Sequence, residues 1–272
     1  MAHQRISTYT SIDFTCELST SVDIPSSGTI LYDVIRISHS IPLFWEDHLE
    51  RFLHSFSLAG ITHTYTKDIL IHGISAFIQK ENIYEGNIKI MYKHTDSPSL
   101  YIYQINHLYP TEKMYKEGVQ ASLLYAERIN PNVKQQLELQ KTATQEITRK
   151  QIYDVILVDS YNNLREGSKT NLFFIDSHNT IHTAHRKDVL PGITRKKIIS
   201  VAQSLHYPII ERKIPVDDLS VFEAAFFSGT SPKILPIRAI ENKQYNVHNT
   251  LIQQILKQYN TLIEQYIYEQ KN

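Results

Sequence analysis

The chain contains 272 residues, which at ~150 residues per domain allows one large domain or two modest ones with a sizeable buried core. Hydrophobic residues make up 42% of the chain and charged residues 21%, with 8 glycines and 10 prolines, so a disordered or collagen-like chain is excluded. The 28 basic residues balance the 28 acidic ones. This balance argues against a general nucleic-acid-binding protein, because such proteins carry an excess of positive charge.

The cysteine and histidine content points to a reducing compartment and gives no metal signature. Cys16 is the single cysteine, so neither an internal disulfide nor a cysteine zinc site can form. The 13 histidines are scattered, and no HExxH or similar ligand spacing occurs. No run approaches the ~18–20 apolar residues of a membrane span, and residues 1–30 lack a charged start followed by an apolar run. We therefore expect a cytoplasmic protein with neither a metal nor a membrane partner.

The first half of the sequence predicts a mixture of strands and helices. Residues 29–37 and 41–44 are β-rich apolar runs around the polar turn SHS, which indicates a hairpin. A helix follows in WEDHLERFLHSFSLAGI, where Gly60 provides a C-terminal stop. Its apolar residues recur at helical spacing, namely Leu49, Phe52, Leu53, Phe56 and Leu58. A second helix is predicted over residues 66–82, and NIKIMYKH and LYIYQINHLY predict two strands around the turn SPS at 97–99.

The second half predicts a larger mixed domain. Apolar periodicity lapses in PTEKMYKEG, which we interpret as a linker between a small N-terminal domain, residues 1–115, and a C-terminal domain, residues 121–272. The C-terminal domain opens with the strand QASLLY and a polar helical stretch over 134–150. Its further predicted strands are YDVILVD, NLFFID, PIIERKI, EAAFFSG and ILPIRAI, and its further helices lie at ITRKKIISVAQSLHY, near 216–222 and at 247–268. The predicted fold class is therefore α/β, in the mixed α+β sense, with two domains.

Two strings carry the features of an anion site. In LPGITRKKII, residues 190–199, Gly192 allows a turn and Ile193, Thr194 and Arg195 open a helix whose first backbone N–H groups are free to bind a phosphate. Alternatively, Pro-Gly here merely connects a strand to a helix. In SGTSPKILPI, residues 228–237, hydroxyl side chains surround a glycine at the end of a strand. Taken alone, this second string is an ordinary Ser/Thr turn.

Two charged residues are candidates for chemistry. In LREGSKTNLFFI, Glu166 closes a strand just before a glycine, and Asn171 leads into the next strand. Glu166 is therefore either a carboxylate directed from the end of an element or a solvated hairpin acid. In EDHLERF, Arg51 lies near His48 on a helix with a buried apolar face. Arg51 is thus either a binding residue or a member of a surface ion pair.

Together and in this order, these strings resemble the class IV aminotransferases. This fold type IV group of pyridoxal-phosphate enzymes includes branched-chain aminotransferases, D-amino-acid aminotransferases and 4-amino-4-deoxychorismate lyases. The resemblance covers residues 29–60 and 121–240 and rests on YDVIRI, PLFWEDHLERFLHS, EGSKTNLFFI, LPGITR and FFSGTSPKILPI. It implies pyridoxal 5'-phosphate as cofactor, a cofactor site in the cleft between two domains, and a homodimer in which each site is completed near the partner.

The resemblance assigns the catalytic roles to three residues. Lys134, in RINPNVK, lies 32 residues before Glu166, which is the family's spacing, and would carry the cofactor and act as base and acid. Lys141 lies only 25 residues before Glu166 and falls outside that spacing, and Lys150 is a further alternative. Glu166 would face the pyridine nitrogen and keep it protonated. Tyr32 would lie between cofactor and substrate.

The resemblance also assigns the cofactor phosphate to four groups. These are the side chain of Arg51, the backbone amides of Ile193 and Thr194, and the hydroxyl of Thr230. Binding of the phosphate by these four groups would fix the position of the cofactor ring while Lys134 reacts.

Departures from the family pattern bear on the reaction. The D-amino-acid enzymes bind the substrate carboxylate with an Arg-x-His pair, but no arginine occurs here between Arg51 and Arg128. Lys93 and His94 are the replacement candidates, although a lysine lacks the bidentate fork. Residues 1–28 match the family poorly and are uninformative about chemistry.

We expect 4-amino-4-deoxychorismate lyase activity, which releases 4-aminobenzoate and pyruvate for folate precursor synthesis, because the chain is compact and lacks the Arg-x-His pair. The alternative is an amino-acid transaminase of the D-amino-acid or branched-chain type. A catalytically idle member or a non-enzymatic interaction protein is disfavoured by the intact Lys134 and Glu166.

Overall fold

The structure is a computed structural model of the chain. It describes residues 6–9, 16–19, 29–96, 98–106, 109–126 and 135–272. Lys134 and the whole of its RINPNVK motif lie outside the described residues, as does Ser97 of the expected SPS turn. The chain forms two compact units, the first including described residues up to 106 together with Ile263–Asn272, and the second including described residues from 109 to 262. The domain limits expected from the sequence stay a prediction.

The first unit contains one antiparallel sheet of six strands. Its strands are β1 (Ile6–Tyr9), β2 (Cys16–Ser19), β3 (Thr29–Ser38), β4 (Ile41–Pro42), β5 (Glu85–His94) and β6 (Ser99–Ile105). They are arranged in the order β2-β1-β6-β5-β3-β4. The predicted hairpin is confirmed, because Ile37 of β3 pairs with Pro42 of β4.

Two helices, α1 (Trp45–Leu58) and α2 (Lys67–Lys80), pack on one face of this sheet. Side chains alternate between the faces of a strand, so Leu31, Ile35 and Ile37 of β3 point into the core against these helices. Tyr32, Val34 and Arg36 point to the other face, where Tyr32 is 36% exposed. Both predicted helices are therefore confirmed, and α2 begins at an N-cap in which Thr66 Oγ1 accepts from the Ile69 amide at 3.3 Å.

The second unit is built on a ten-stranded sheet. Its strands are β7 (Val119–Tyr125), β8 (Asp154–Val158), β9 (Asn163–Gly167), β10 (Asn171–Ile175), β11 (Ile181–Thr183), β12 (Ile209–Glu211), β13 (Ile214–Pro215), β14 (Ala224–Gly229), β15 (Lys233–Ile240) and β16 (Lys243–Gln244). The order is β12-β11-β10-β14-β15-β7-β8-β9-β13, with β16 paired to β15. Its helices are α3 (Glu112–Glu117), α4 (Gln135–Lys150), α5 (Ile193–Ser204) and α6 (Thr250–Lys271).

Three parts of the fold differ from the sequence-based expectation or add to it. The expected linker contains helix α3, which Thr111 caps and which ends at Gly118 with a φ of 69°. A side chain at Gly118 would meet Val247 and the backbone of Arg238, so glycine is required there. Strands β1 and β2 lie in the segment that the sequence left without interpretation. The end of α6 belongs to the first unit, where the Tyr266 hydroxyl donates to Glu46 Oε2 at 2.6 Å.

Candidate active site

Glu166 is a buried carboxylate at the end of strand β9. A tight turn follows it, in which the Gly167 amide donates to the Thr170 carbonyl at 2.8 Å. A Cβ on Gly167 would overlap the side chains of Thr170 and Asp154, so only glycine fits this turn. Glu166 itself is 3% exposed, and its Oε2 accepts from the Asn171 side-chain amide and from the Leu190 backbone amide, both at 3.1 Å. It is thus not a solvated hairpin acid but a carboxylate held by neutral donors.

Asn171 connects the elements that surround Glu166. Its Nδ2 donates to Glu166 Oε2 and also to the Leu190 carbonyl at 3.0 Å. Gly192, the residue before α5, lies so close to Asn171 that a Cβ there would overlap Asn171 Oδ1. Asn171 therefore fixes Glu166 and the start of α5 against one another. From the sequence, Asn171 was only the residue that leads into a strand, because Leu190 and Gly192 lie far from it along the chain.

The first turn of α5 is a buried helix N-terminus. Helix α5 begins at Ile193 after Gly192, which caps it without a side-chain hydrogen bond. Ile193 and Thr194 are 6% and 5% exposed. Their backbone N–H groups have no intrahelical acceptors and suit an anion. The neighbouring Arg195 is structural, since its Nη2 donates to the Ala184 carbonyl at 2.9 Å and to Glu211 Oε2 at 3.0 Å.

The end of strand β14 adds hydroxyl groups to the same region. Ser228 of β14 lies directly opposite Asn171 of β10, so the two side chains lie on the same face of the sheet. The Ser228 side chain is fully buried, and its Oγ has no hydrogen-bond partner among the described residues. Thr230 follows in the half-buried turn after the strand. A buried hydroxyl without a partner is unfavourable unless a ligand satisfies it, so this region fits a polar group such as pyridoxal phosphate.

The structure thus brings three of the expected strings together within the second unit. Glu166, the start of α5 and the end of β14 meet around Asn171. Their roles toward the cofactor stay predictions.

In the first unit, Arg51 belongs to a buried cluster of charges. Asp33 of β3 is 2% exposed and accepts from Arg51 through Nε at 2.8 Å and through Nη2 at 2.7 Å. The ring of His48 also contacts Asp33, at 2.8 Å from Nδ1 to Oδ1. Burial by itself raises the pKa of Asp33, but attraction to Arg51 and His48 outweighs it and holds the pKa well below its usual range. Arg51 is therefore held in one orientation and is not in a solvated surface pair.

We expect Asp33→Asn to destabilise the protein by about 3 kcal/mol at neutral pH, because it leaves the guanidinium of Arg51 without its buried counter-ion. A carboxylate with a lowered pKa adds to the free energy of unfolding at pH values above its unfolded-state pKa of about 3.9. This added stability is lost as the pH falls through its folded-state pKa. The stability difference between wild type and variant should therefore be full at neutral pH, start to narrow below about pH 4, and close only as the pH falls through the folded-state pKa of Asp33. Urea unfolding at several pH values measures this.

Asp96→Asn is the matched control, since Asp96 is an exposed carboxylate in the turn after β5. It should change stability by less than about 0.5 kcal/mol. Equal stability of Asp33→Asn and wild type at neutral pH would show that the ion pair of Asp33 with Arg51 does not stabilise the fold.

The structure does not bring Lys93 and His94 together as a carboxylate trap. They are consecutive in β5 and therefore point to opposite faces of the sheet. Lys93 is 2% exposed, whereas His94 is exposed and contacts the Tyr92 hydroxyl at 3.3 Å.

Within the described ranges, no group of three or more His, Cys, Asp or Glu side chains is arranged to hold a metal ion. Across the same residues, every helix is too short or too polar for a transmembrane passage.

Comparisons with known proteins relate most of the chain to one family. A sequence model of the family described as amino-transferase class IV matches residues 30–240. Mitochondrial branched-chain-amino-acid aminotransferase 1 of Arabidopsis thaliana is 28% identical over 166 residues, which cover 54% of this chain and 43% of that protein. The chain thus matches less than half of that relative's length. D-alanine aminotransferase of Staphylococcus epidermidis is 24% identical over 258 residues, covering 88% of this chain and 89% of that protein.

Solved structures share the fold. Branched-chain amino acid aminotransferase of Escherichia coli superimposes with a TM-score of 0.84 at 20% identity, covering 96% of this chain and 95% of that chain. A Legionella pneumophila protein provisionally named 4-amino-4-deoxychorismate lyase gives a TM-score of 0.77 at 24% identity, covering 86% of this chain and 91% of that one. At these identities the similarity establishes the fold, and the expected fold class is confirmed.

Proposed function

Because the chain belongs to the class IV aminotransferases, which are pyridoxal-phosphate enzymes, we propose that it transfers the amino group of an α-amino acid to a 2-oxo acid. The curated relatives support this choice, since those reported above are named as branched-chain and D-alanine aminotransferases. Transamination therefore takes precedence over the lyase reaction that the sequence alone favoured.

The observation that carries the proposal is the buried carboxylate of Glu166. The cofactor, when bound, supplies a protonated ring that withdraws electrons from the α-carbon of the substrate. Glu166 offers a negative charge, fixed by Asn171 and the Leu190 amide, with which such a ring nitrogen can pair. Lys134 would hold the cofactor and move the proton at the substrate α-carbon.

The remaining residues have binding roles in this proposal. Arg51, held by Asp33, would bind the phosphate together with the amides of Ile193 and Thr194 and the Thr230 hydroxyl. Tyr32 would contact the substrate. We further propose that the protein forms a homodimer and is located in the cytoplasm.

The second candidate is 4-amino-4-deoxychorismate lyase. It is favoured by the lack of any arginine between Arg51 and Arg128, because the Arg-x-His pair of the D-amino-acid enzymes cannot form in that segment. Both reactions begin with removal of the same α-proton, so Lys134 and Glu166 would serve either one.

One assay separates the candidates. The purified protein, supplied with pyridoxal phosphate, is incubated with a panel of D- and L-amino acids plus 2-oxoglutarate, and in parallel with aminodeoxychorismate alone. We expect glutamate formation with at least one amino acid. Release of 4-aminobenzoate without a 2-oxo acid would support the lyase instead, and no reaction in either arm would overturn both.

A further inference from the structure

The start of helix α1 is capped by the end of helix α6 and not by its own N-cap residue. Phe44, the residue before α1, has a φ of 52° and a ψ of 39° and makes no side-chain hydrogen bond. A phenylalanine offers no acceptor to the free N–H groups of a first helical turn. The Tyr266 hydroxyl supplies one, since it accepts from the Trp45 amide at 3.3 Å and donates to Glu46 Oε2 at 2.6 Å.

Two further contacts hold the same junction. Gln270 accepts from the Trp45 indole at 3.4 Å and donates to Glu46 Oε1 at 3.3 Å. The rings of Phe44 and Tyr266 pack with their centres 4.8 Å apart, which offsets the unfavourable left-handed backbone of Phe44. Burial and the neighbouring Glu46 carboxylate raise the pKa of Tyr266, so the hydroxyl keeps the proton that it donates.

This junction determines where the proposed phosphate-binding side chain begins. Arg51 lies six residues after Trp45 in the same helix, which is about 9 Å along the helix axis. The helix is continuous over that distance, and its first hydrogen bond joins the His48 amide to the Phe44 carbonyl at 3.2 Å. Asp33 orients the guanidinium of Arg51 from strand β3, but it does not fix the helix backbone. The position of Arg51 therefore depends on both Asp33 and the start of α1.

We propose that Tyr266 is a positioning residue for the cofactor phosphate: its hydroxyl fixes the first turn of α1 and thereby holds Arg51 in place. This inference rests on the phosphate-binding role of Arg51 in the proposed function. Because Tyr266 acts through Arg51, its loss should weaken binding of the phosphate group and not of the pyridine ring.

The test is a titration of the cofactor-free protein with pyridoxal phosphate and with pyridoxal, which has the same ring and aldehyde but no phosphate. Tyr266→Phe keeps the ring contact with Phe44 and removes the hydroxyl. We expect this variant to bind pyridoxal phosphate about fivefold to tenfold more weakly and pyridoxal as the wild type does. Gln270→Ala, at an exposed position, should weaken pyridoxal phosphate binding by a smaller factor of about two.

A double variant separates positioning from general destabilisation. Arg51→Met should weaken pyridoxal phosphate binding more than Tyr266→Phe does, because it removes the charge that pairs with the phosphate. If Tyr266 acts through Arg51, the protein with both substitutions should bind as weakly as Arg51→Met alone, whereas independent effects would multiply. Tyr268→Phe is the matched control, since Tyr268 lies at the same end of α6 and is 71% exposed. It should bind both probes as the wild type does.

Three results would overturn the inference alone: wild-type binding of pyridoxal phosphate by Tyr266→Phe, an equal loss of both probes, or losses that multiply in the double variant. Unchanged binding by Arg51→Met would overturn the phosphate role of Arg51 and the inference with it. Failure of every amino acid in the turnover assay would overturn the proposed transamination, yet the titration would still decide on Tyr266.

Discussion

Lys134→Ala is expected to abolish both turnover and the covalent attachment of pyridoxal phosphate. The amine of a lysine is the nucleophile that such a cofactor requires, and Lys134 lies at the family's distance before Glu166. The wild-type protein should show a visible absorption band that borohydride abolishes, and mass spectrometry of peptides should then place the reduced cofactor on Lys134. The alanine variant should carry no such label.

The two alternative lysines provide matched controls, because both lie in α4. Lys150 contacts the Ser122 hydroxyl, and its ammonium lies 3.9 Å from carboxylate oxygens of Glu146 and of Glu241. The Lys150 ammonium is thus engaged by two carboxylates of its own surroundings. Lys141 is exposed on the helix surface. Alanine at either position should leave the label and the activity intact, and a label found on Lys141 or Lys150 would refute the assignment of Lys134.

Local patterns predicted most of the fold, and the parts that were missed depend on distant partners. The helix at Trp45–Leu58 follows from its apolar spacing, and the hairpin before it follows from two β-rich runs around a polar turn. Strand β1 is only four residues long and pairs with β6, more than ninety residues later, so no local pattern indicates it. The packing of the end of α6 on the first unit has no local pattern either, since amphipathicity predicts a helix but does not identify the surface that the helix covers.

The partner of Arg51 could have been predicted. In the strand ILYDVIRI, Asp33 has the same alternating phase as Leu31 and Ile35, so the pattern places a carboxylate on the buried face. A buried carboxylate requires a cation or several donors, and the following helix carries one arginine. Asn171 could not have been found in this way, because its contacts with Leu190 and Gly192 depend on how distant segments pack.

Glu166→Gln should retain the cofactor but lower kcat by about a hundredfold to a thousandfold. The amide oxygen of glutamine can accept the same hydrogen bonds from Asn171 and the Leu190 amide, so the local structure should persist. What is lost is the negative charge that would keep the ring nitrogen of the cofactor protonated. Turnover measured at saturating cofactor, together with the absorption spectrum of the bound cofactor, tests this.

A second substitution separates charge from position. Glu166→Asp keeps the charge but shortens the side chain by one methylene, so the carboxylate retreats from Asn171 and Leu190. If charge is decisive, the aspartate variant should retain more activity than the glutamine variant, and the exposed control Glu223→Gln should behave as wild type. Full activity of Glu166→Gln would mean that no anion is needed opposite the ring. An aspartate variant less active than the glutamine variant would instead show that the hydrogen-bonded position of the side chain matters more than its charge.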